Sequence, residues 1–283
     1  MVNYVTNAQF CDIVRNNLHK IPHDIDGVIG VPRGGMLVAS IISEMLNIPL
    51  YSVESFLEGH DIGGGFAMNF VRLNKTNKFV VVDDSVGCGN TFIRLKQVLS
   101  KYNATFVYVA AVCDDKNSFP FIDIVLSYVN EPRLFEMNMF RLQCVENMIF
   151  DIDGVLCDDP TSGIDLDETR YIEFMLNAKP KYKLLYKPLA LCTHRLMKYA
   201  PYTQKWLSDN GIEYGNLCML DLGSIEEKIR LCEMPQVKNM KATVYNAFPN
   251  AILFVESNMT EAEYIFNTTG RPVLCIDTNQ MLQ

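Results

Sequence analysis

The sequence lacks any long hydrophobic run and any cluster of basic residues. Its apolar runs, such as residues 79–82 and 189–192, are far shorter than the roughly 20 residues that a membrane-crossing helix needs. Its 33 acidic residues outnumber the 25 basic ones, and no basic run could follow a nucleic-acid backbone. These absences argue against a transmembrane segment and against a nucleic-acid polymer as partner. Because the first residues also carry no signal-peptide pattern, we expect a cytoplasmic protein.

Motifs for disulfides and zinc are missing as well. The nine cysteines are scattered, odd in number and without a C-x-x-C pair, and the four histidines show no ligand spacing. We therefore interpret the cysteines as small buried thiols in a reducing cytoplasm, and we expect no zinc site.

The composition and the order of patterns indicate a globular α/β protein. The 283 residues suffice for about two domains, and 49% of them are apolar. In the first half, short β-rich runs alternate with helical patterns, which is typical of βαβ units around a parallel sheet. We predict strands at residues 26–31, 49–53, 78–83, 105–113 and 123–129, and helices at residues 35–46 and 91–102.

The β-rich pattern begins again at Asn147. Residues 130–146 show no clear strand. Short apolar strand candidates then occur at residues 148–150, 189–192, 252–255 and 273–276. We therefore predict two doubly wound Rossmann-like domains, residues 1–145 and 146–283.

The most informative N-terminal stretch is residues 80–91, VVVDDSVGCGNT. Asp83 and Asp84 follow an apolar strand, and a glycine-rich loop then leads into a helix. Adjacent carboxylates at a strand end can hold sugar hydroxyls or Mg²⁺, and a glycine-rich turn at a helix N-terminus can hold a phosphate.

This stretch resembles the phosphoribosyl-pyrophosphate motif of type I phosphoribosyltransferases. The turn of residues 30–35, GVPRGG, is similar to the pyrophosphate loop of that family. The resemblance implies the type I phosphoribosyltransferase fold. It also implies phosphoribosyl pyrophosphate as the donor and Mg²⁺ as the cofactor. It implies that Asp83 and Asp84 hold the ribose hydroxyls and Mg²⁺. The residues implied to hold the pyrophosphate are Arg33, Gly34 and Gly35, and those for the 5-phosphate are Ser85, Val86, Gly87, Cys88, Gly89, Asn90 and Thr91.

The implied reaction displaces pyrophosphate at the anomeric carbon, with inversion, through an oxocarbenium-like state. Many members of the family close a basic loop over the pyrophosphate, but residues 55–69 contain no Lys or Arg. Glu58 and Asp61 in this loop are candidates for a base that activates an acceptor hydroxyl. Solvated loop acids are an equally good interpretation, so we assign no catalytic residue there.

A second acidic strand end lies in residues 148–156, MIFDIDGVL. Asp151 and Asp153 are two residues apart and directly follow an apolar strand. In this arrangement, Asp151 can attack phosphorus as a nucleophile, and Asp153 can protonate the leaving oxygen and later activate water.

The stretch is similar to the first motif of the haloacid dehalogenase (HAD) superfamily of Mg²⁺-dependent phosphatases, and later segments resemble the other motifs in order. The resemblance implies that Thr193 binds the phosphoryl oxygens and that Lys241 neutralises their charge. The implied metal ligands are Asp151, Asp153, Glu256 and Glu261.

Three assignments in this second site stay open. The family usually has Asp where Glu256 stands, so either Glu256 or Glu261 can reach the metal. Arg195 is either a ligand of the substrate phosphate or a surface residue. The lysines that compete with Lys241 are Lys228 and Lys205.

The spacing of the motifs limits any cap over this site. Only 39 residues, 154–192, separate Asp153 from Thr193. This leaves room for a short helix near residues 171–176 and excludes a large cap there. We therefore expect a C-terminal HAD fold with a minimal cap.

Together the motifs predict a bifunctional enzyme. The first domain would transfer β-ribosyl 5-phosphate to an acceptor, a glycan or natural-product hydroxyl, and the second would hydrolyse the 5-phosphate to leave a ribofuranoside. The alternatives are a nucleobase salvage or breakdown enzyme, and a phosphatase regulated by a non-catalytic domain that senses phosphoribosyl pyrophosphate. The acceptor and the oligomeric state stay open, and a homo-oligomer is compatible with the sequence.

Overall fold

The computed structural model describes residues 2–62, 76–115, 119–161, 163–231 and 234–283. The chain forms two compact units. One extends from Val5 to Arg133, and the other extends from Leu134 to Gln283 and includes the N-terminal residues up to Tyr4. The change of unit at Arg133 precedes the predicted junction at residue 145.

The first eleven elements include a parallel sheet. They are β1 (Asn3–Val5), α1 (Asn7–Asn16), β2 (Gly27–Gly30), α2 (Gly34–Leu46), β3 (Leu50–Ser52), α3 (Val53–Leu57), β4 (Lys78–Ser85), α4 (Asn90–Leu99), β5 (Thr105–Cys113), β6 (Ile124–Tyr128) and β7 (Arg133–Phe135). Five of these strands pair in parallel in the order β3-β2-β4-β5-β6. The predicted strands and helices of the first half are therefore confirmed, with small differences at their ends.

The apolar runs of this sheet are continuous because helices cover both of its faces. Residues 80–82 of β4 are all valine and all fully buried. Phe92, Leu95 and Leu99 of α4 pack in one cluster with Val81 on one face. α2 contacts both β2 and β4.

The strand order creates a switch point between β2 and β4. These strands are neighbours in the sheet, although β3 lies between them in the sequence and on the far side of β2 in the sheet. In open α/β sheets, the carboxyl ends of strands at such a point form the crevice that binds ligands. The turn after β2 and the acidic end of β4 meet there.

The remaining elements form a second, mainly parallel sheet. They are β8 (Met148–Phe150), α5 (Glu168–Asn177), β9 (Ala190–Leu196), α6 (Ala200–Asp209), β10 (Asn216–Leu220), α7 (Ile225–Arg230), α8 (Pro235–Lys238), α9 (Met240–Ala247), β11 (Leu253–Glu256), α10 (Met259–Thr269), β12 (Val273–Cys275) and β13 (Gln280–Leu282). The order is β10-β9-β8-β11-β12-β13, and β13 is antiparallel to β12. The four predicted strands and the short helix near residues 171–176 are confirmed.

Helices also cover both faces of this sheet. Alternate residues of β11 point to opposite sides: Leu253 and Val255 pack with Trp206 of α6, and Phe254 packs with Tyr245 of α9. A switch point lies between β8 and β11, since β9 and β10 continue the sheet on the other side of β8.

Four strands were not predicted, namely β1, β7, β10 and β13. β7 lies within residues 130–146, where the sequence shows no clear strand, and it pairs with β1. The prediction was wrong here because a pairing between two three-residue strands so far apart in the sequence leaves no local pattern.

The sequence predicts neither a membrane-spanning helix nor a disulfide framework, and both features can be compared with the described residues. Among the described residues, no helix combines the length and the apolar character needed to span a bilayer. All cysteines that the structure describes are free thiols. Cys11 and Cys88 are exposed, so the prediction of buried thiols is wrong for these two.

Candidate functional site

The turn after β2 lies directly against the acidic end of β4. α2 begins at Gly34, and a side chain at this position would collide with the carboxylate of Asp84. A side chain at Gly35 would collide with the backbone of Val82 and Asp83. Glycine is required at position 35 because the contact there is with backbone atoms, whereas at position 34 an added side chain would have to displace the Asp84 carboxylate. The structure thus brings together the predicted pyrophosphate loop and the predicted ribose-binding acids.

Asp83 and Asp84 interact with each other rather than with a cation. The Asp84 N–H donates to Asp83 Oδ1 at 2.9 Å, and the described residues provide no ion pair to either carboxylate. Burial, followed by the neighbouring Asp84, raises the pKa of Asp83 to about 8. Carboxylate oxygens are preferred ligands of Mg²⁺, so this pair fits a magnesium site. The negative charge of the two carboxylates would then be offset by an ion that binds together with the ligand.

The loop after β4 leads to the N-terminus of α4. Gly89 has a φ of 75° directly before Asn90, the first residue of α4, and a side chain there would collide with Phe121. The start of this helix supplies free N–H groups and the positive end of the helix dipole. The exposed residues of the loop and first turn are Gly87, Cys88, Asn90 and Thr91. This geometry can hold a phosphate.

Val86 differs from its neighbours in this loop. Its N–H donates to the Val112 carbonyl at 3.1 Å, and its carbonyl accepts from the Arg133 guanidinium at 2.8 Å. Because both backbone groups are already bonded, the predicted role of the Val86 amide in phosphate binding does not fit this structure. Ser85, the last residue of β4, pairs with Val112 in the sheet.

The other predicted residues of this region lie at the surface or outside the described chain. Arg33 is exposed next to Gly34. Glu58 lies 3.8 Å from His60, and both side chains are exposed. Residues 63–69 of the predicted loop lie outside the described residues. The role of this loop, including that of Asp61, therefore stays a prediction.

In the C-terminal unit, four charged side chains meet at the carboxyl ends of β8 and β11. Lys241 Nζ lies 2.6 Å from Asp151 Oδ2, 2.7 Å from Glu256 Oε2 and 2.5 Å from Glu261 Oε2. Asp151 follows β8, Glu256 ends β11, Lys241 lies in α9 and Glu261 lies in the first turn of α10. These elements converge because β8 and β11 flank the switch point.

The structure favours Lys241 among the three candidate lysines. Its side chain is 4% exposed and lies among the carboxylates. Lys205 instead pairs with Asp209 at 2.8 Å on the exposed surface of α6. Lys228 lies on α7 in the wall of a cavity.

Both candidate glutamates reach the site. Asp151, Glu256 and Glu261 offer carboxylate oxygens that all lie within 4.8 Å of one another. Glu256 Oε1 also accepts from the backbone N–H groups of Ser257 at 2.9 Å and Asn258 at 3.1 Å, which fixes its orientation. Three carboxylates against one ammonium leave excess negative charge, and hard oxygen ligands suit Mg²⁺. The residues therefore fit a magnesium ion.

The pKa values show how strongly these groups interact. Burial and the nearby Glu256 and Glu261 raise the pKa of Asp151 to about 7 against the attraction of Lys241. Burial would lower the pKa of Lys241, but the carboxylates raise it well above its usual value, so the lysine stays charged. Burial would raise the pKa of Glu261, but His194 and Lys241 hold it below its usual range.

Asp153 lies beside this cluster but has a different partner. Arg195 Nε donates to Asp153 Oδ2 at 2.9 Å, and Nη2 donates to Oδ1 at 2.5 Å. Arg195 is 1% exposed, so the surface interpretation of this residue is wrong. The Asp153 carboxylate, a predicted metal ligand, is bound to Arg195 and is not one of the three clustered carboxylates.

A cavity of about 610 Å³ opens onto these side chains. Asp151, Asp153, Lys241 and Thr193 all line it. Thr193 is buried, and its Oγ1 accepts from the Arg195 N–H at 3.2 Å, which leaves the hydroxyl proton available for a ligand. The volume is that of a site for a small organic molecule.

Sequence analysis missed one residue of this site, His194. Its Nδ1 lies 3.5 Å from Glu261 Oε2, and it also lines the cavity. Its position next to Thr193 is the one available signal. The contact between His194 in β9 and Glu261 in α10 joins distant parts of the sequence, so no metal-ligand spacing indicates it.

Comparisons with known proteins concern mainly the first half of the chain. Residues 3–138 match the family model described as phosphoribosyl transferase domain. The transcriptional regulator GfcR of Methanococcoides burtonii is 29% identical over 126 residues, which are 41% of this chain and 59% of that protein. This chain therefore spans less than two thirds of the length of that curated relative.

Two solved structures are also similar. The purine phosphoribosyltransferase of Pyrococcus horikoshii is 21% identical and covers 47% of this chain and 91% of its own, with a TM-score of 0.36. The xanthine-guanine-hypoxanthine phosphoribosyltransferase of Helicobacter pylori is 16% identical, with a TM-score of 0.37. The match covers 49% of this chain and 92% of that protein. The family match, the parallel sheet and the two adjoining motifs identify residues 3–138 as a type I phosphoribosyltransferase domain.

Proposed function

We propose that this chain is a bifunctional enzyme that transfers β-ribosyl 5-phosphate from phosphoribosyl pyrophosphate to an acceptor hydroxyl and then hydrolyses the 5-phosphate. The family match supports the transfer step. The observation that carries the second step is the contact of Lys241 with Asp151, Glu256 and Glu261 beside a cavity. This arrangement suits a carboxylate nucleophile, a neutralising lysine and acidic metal ligands.

In the first step, the acceptor oxygen attacks the anomeric carbon while the bond to pyrophosphate breaks, and the acceptor proton passes to a base or to water. Asp83 and Asp84 would hold the ribose hydroxyls, and the loop at the start of α4 would hold the 5-phosphate. Mg²⁺ would neutralise the leaving pyrophosphate. The domain contributes mainly by holding the donor in place and by offsetting charge.

In the second step, an Asp151 oxygen attacks phosphorus, and the sugar oxygen leaves with a proton from Asp153. Water then attacks the aspartyl phosphate, and Asp153 takes up a proton from that water, which restores the proton that it gave to the sugar oxygen. The bond between Asp151 and phosphorus breaks, and inorganic phosphate departs. Lys241 offsets the negative charge around the phosphoryl group, and the Thr193 hydroxyl donates to one of its oxygens. Mg²⁺ held by Asp151, Glu256 and Glu261 would add positive charge at the phosphoryl group.

The pairing of the two activities indicates the class of acceptor. The product would be a ribofuranoside without phosphate, and nucleobase salvage gains little from removing a phosphate that was just installed. We therefore propose a hydroxyl of a glycan or natural product as acceptor. The short segment between Asp153 and Thr193 leaves the phosphatase site without a large cap, which suits a bulky substrate.

The test uses the Asp151→Asn protein, in which the phosphorylated product should persist. It is incubated with Mg²⁺, phosphoribosyl pyrophosphate and, separately, nucleobases or lipid-linked glycans, while pyrophosphate release and product mass are followed. We expect release with a glycan and a product that keeps its phosphate. Transfer to a nucleobase would contradict the proposed acceptor and assign the protein to nucleotide metabolism.

A regulatory function is the second candidate, and the similarity to a transcriptional regulator favours it. In this case the N-terminal domain would bind phosphoribosyl pyrophosphate without turnover and control the phosphatase. Calorimetry that shows tight donor binding, together with no pyrophosphate release for any acceptor, would support this candidate.

A further inference from the structure

Every nitrogen of the Arg195 guanidinium has a protein partner. Nε donates to Asp153 Oδ2 at 2.9 Å and to Oδ1 at 3.2 Å, and Nη2 donates to Oδ1 at 2.5 Å. Nη1 lies 3.4 Å from the hydroxyl of Thr203, and Nη2 lies 3.6 Å from the sulfur of Cys157. Only one N–H group, on Nη1, has no partner among the described residues. Arg195 lines the cavity, but its two-pronged face is already used by Asp153 and is not open to a substrate phosphate.

Burial fixes this arrangement. The Arg195 side chain is 0% exposed, and its guanidinium lies 5.9 Å from the ring centre of Trp206, which is itself fully buried. If Arg195 turned toward a bound phosphate, it would leave Asp153 without its buried partner, and removing one member of such a pair is costly. We therefore expect Arg195 and Asp153 to stay paired when a substrate binds.

The two oxygens of Asp153 are used unequally. Oδ1 receives two guanidinium nitrogens and lies 3.5 Å from Cys157 Sγ, whereas Oδ2 receives Nε alone. The two-pronged pairing fixes the plane of the carboxylate and leaves Oδ2 with the greater remaining bonding capacity. Asp153 is also one of the residues that line the cavity, and its side chain is 16% exposed.

We infer that Arg195 is a positioning residue, which holds Asp153 so that Oδ2 meets the oxygen of the leaving group, and that Arg195 does not bind the substrate phosphate. This inference rests on the proposed phosphatase function, because it concerns how Asp153 is presented to the substrate of that site. It replaces the substrate-phosphate role that the sequence suggested for Arg195.

The test compares two phosphate esters. Ribose 5-phosphate has an alkyl leaving group that needs a proton, whereas p-nitrophenyl phosphate has a leaving group that departs without one. For Arg195→Ala, we expect kcat on ribose 5-phosphate to fall about 100-fold, the scale of a displaced general acid. We expect KM and inhibition by inorganic phosphate to change by less than about threefold, because the ground-state phosphate contacts are intact. A large rise in KM and in the inhibition constant of inorganic phosphate, or a larger loss of kcat on p-nitrophenyl phosphate than on ribose 5-phosphate, would overturn the inference.

A double-mutant cycle separates action through Asp153 from direct action. In an Asp153→Asn background, Arg195→Ala should lower kcat by less than about threefold further, since its effect passes through the missing carboxylate. A second loss of about 100-fold in that background would contradict the inference. Wild-type protein that hydrolyses neither ester would refute the proposed phosphatase itself, and this outcome differs from a failure of the cycle.

A conservative variant guards against loss of folding. Lysine keeps the charge of Arg195 but cannot form the two-pronged pair. The Arg195→Lys protein should remain folded by circular dichroism and lose about tenfold in kcat on ribose 5-phosphate, with an unchanged KM. Full kcat in a folded Arg195→Lys protein would show that the fixed orientation of Asp153 is not needed.

Discussion

The two acidic sites of this chain have the same topological position, but among the described residues only the C-terminal site has a cationic side chain in contact with its carboxylates. Both lie at the carboxyl ends of parallel strands beside a switch point. In the N-terminal domain, Asp83 and Asp84 have no cationic partner among the described residues, and the pKa of Asp83 is raised to about 8. In the C-terminal unit, the buried Lys241 contacts three carboxylates.

This difference indicates where each site obtains its positive charge. A carboxylate pair without an internal cation has to receive one with its ligand, which suits a donor that binds together with Mg²⁺. In the proposed phosphatase, the positive charge of Lys241 would already be in place before the substrate arrives, and such preorganised charge costs no rearrangement during the reaction.

Replacement of Asp151, the proposed nucleophile of the C-terminal site, should separate the two sites most clearly. Asp151→Asn should lower phosphate release by a factor on the order of 10⁴ or more, because the attacking oxygen is lost, and should leave pyrophosphate release intact. Phosphate and pyrophosphate release are measured on the same preparation. The matched Asp83→Asn/Asp84→Asn variant should do the reverse. Loss of both activities in both variants would contradict two separate sites.

The charge balance of the C-terminal site should be visible in its stability. Lys241→Ala leaves three carboxylates without their cation and should lower the free energy of unfolding by about 3 kcal/mol. Added Mg²⁺ should stabilise this variant more than the wild type, because an ion can replace the missing charge. Urea unfolding with and without Mg²⁺ measures both effects.

The control for this change is Lys205→Ala. Lys205 pairs with Asp209, and both side chains are more than half exposed, so the loss should be under about 0.5 kcal/mol. An equal loss in the two lysine variants would show that Lys241 does not act as the cation of a buried cluster.

The N-terminal site should respond to a change of shape. A side chain at Gly34 would displace the carboxylate of Asp84, so Gly34→Ala should cost about 1–3 kcal/mol of stability and weaken donor binding. The space around Gly87 is open, and Gly87→Ala should change stability by less than about 0.5 kcal/mol. Calorimetry with phosphoribosyl pyrophosphate and urea unfolding provide the measurements. Unchanged stability and affinity in Gly34→Ala would contradict the close approach of the two motifs.

The last prediction concerns pH and is spread over several pH units. An aspartate in the unfolded chain ionises near pH 3.9, whereas folded Asp83 keeps its proton up to about pH 8. Its contribution to stability is therefore fully present below pH 4 and is lost as the pH rises toward 8. The stability of Asp83→Asn relative to wild type should increase over this window, by at most about 1.4 kcal/mol per pH unit. Parallel stability profiles of the two proteins would contradict the raised pKa.

The sequence predicts the strand-and-helix pattern and the location of both acidic strand ends. Val80, Val81 and Val82 before Asp83, and the apolar run before Asp151, are local signals of buried strands that end at a ligand-binding edge. The pairing of β1 with β7 was not predictable, because it joins two very short segments from distant parts of the chain.

The partners of the site residues were the harder part. Arg195 was recognised as a candidate, but its partner Asp153 lies 42 positions away and is found only once β8 and β9 are adjacent. Likewise, the Val86 N–H is used by Val112 of the neighbouring strand, which no local motif indicates. Motifs predict which residues a site contains, whereas packing decides what each of them binds.

The most direct test of the central claim, that the two sites act in sequence on one molecule, passes product from one variant to another. The phosphorylated product made by Asp151→Asn is purified and incubated with Mg²⁺ and the Asp83→Asn/Asp84→Asn variant. We predict release of inorganic phosphate and a ribosylated acceptor without phosphate. If this variant hydrolyses ribose 5-phosphate but leaves the purified product unchanged, the sequential reaction is contradicted.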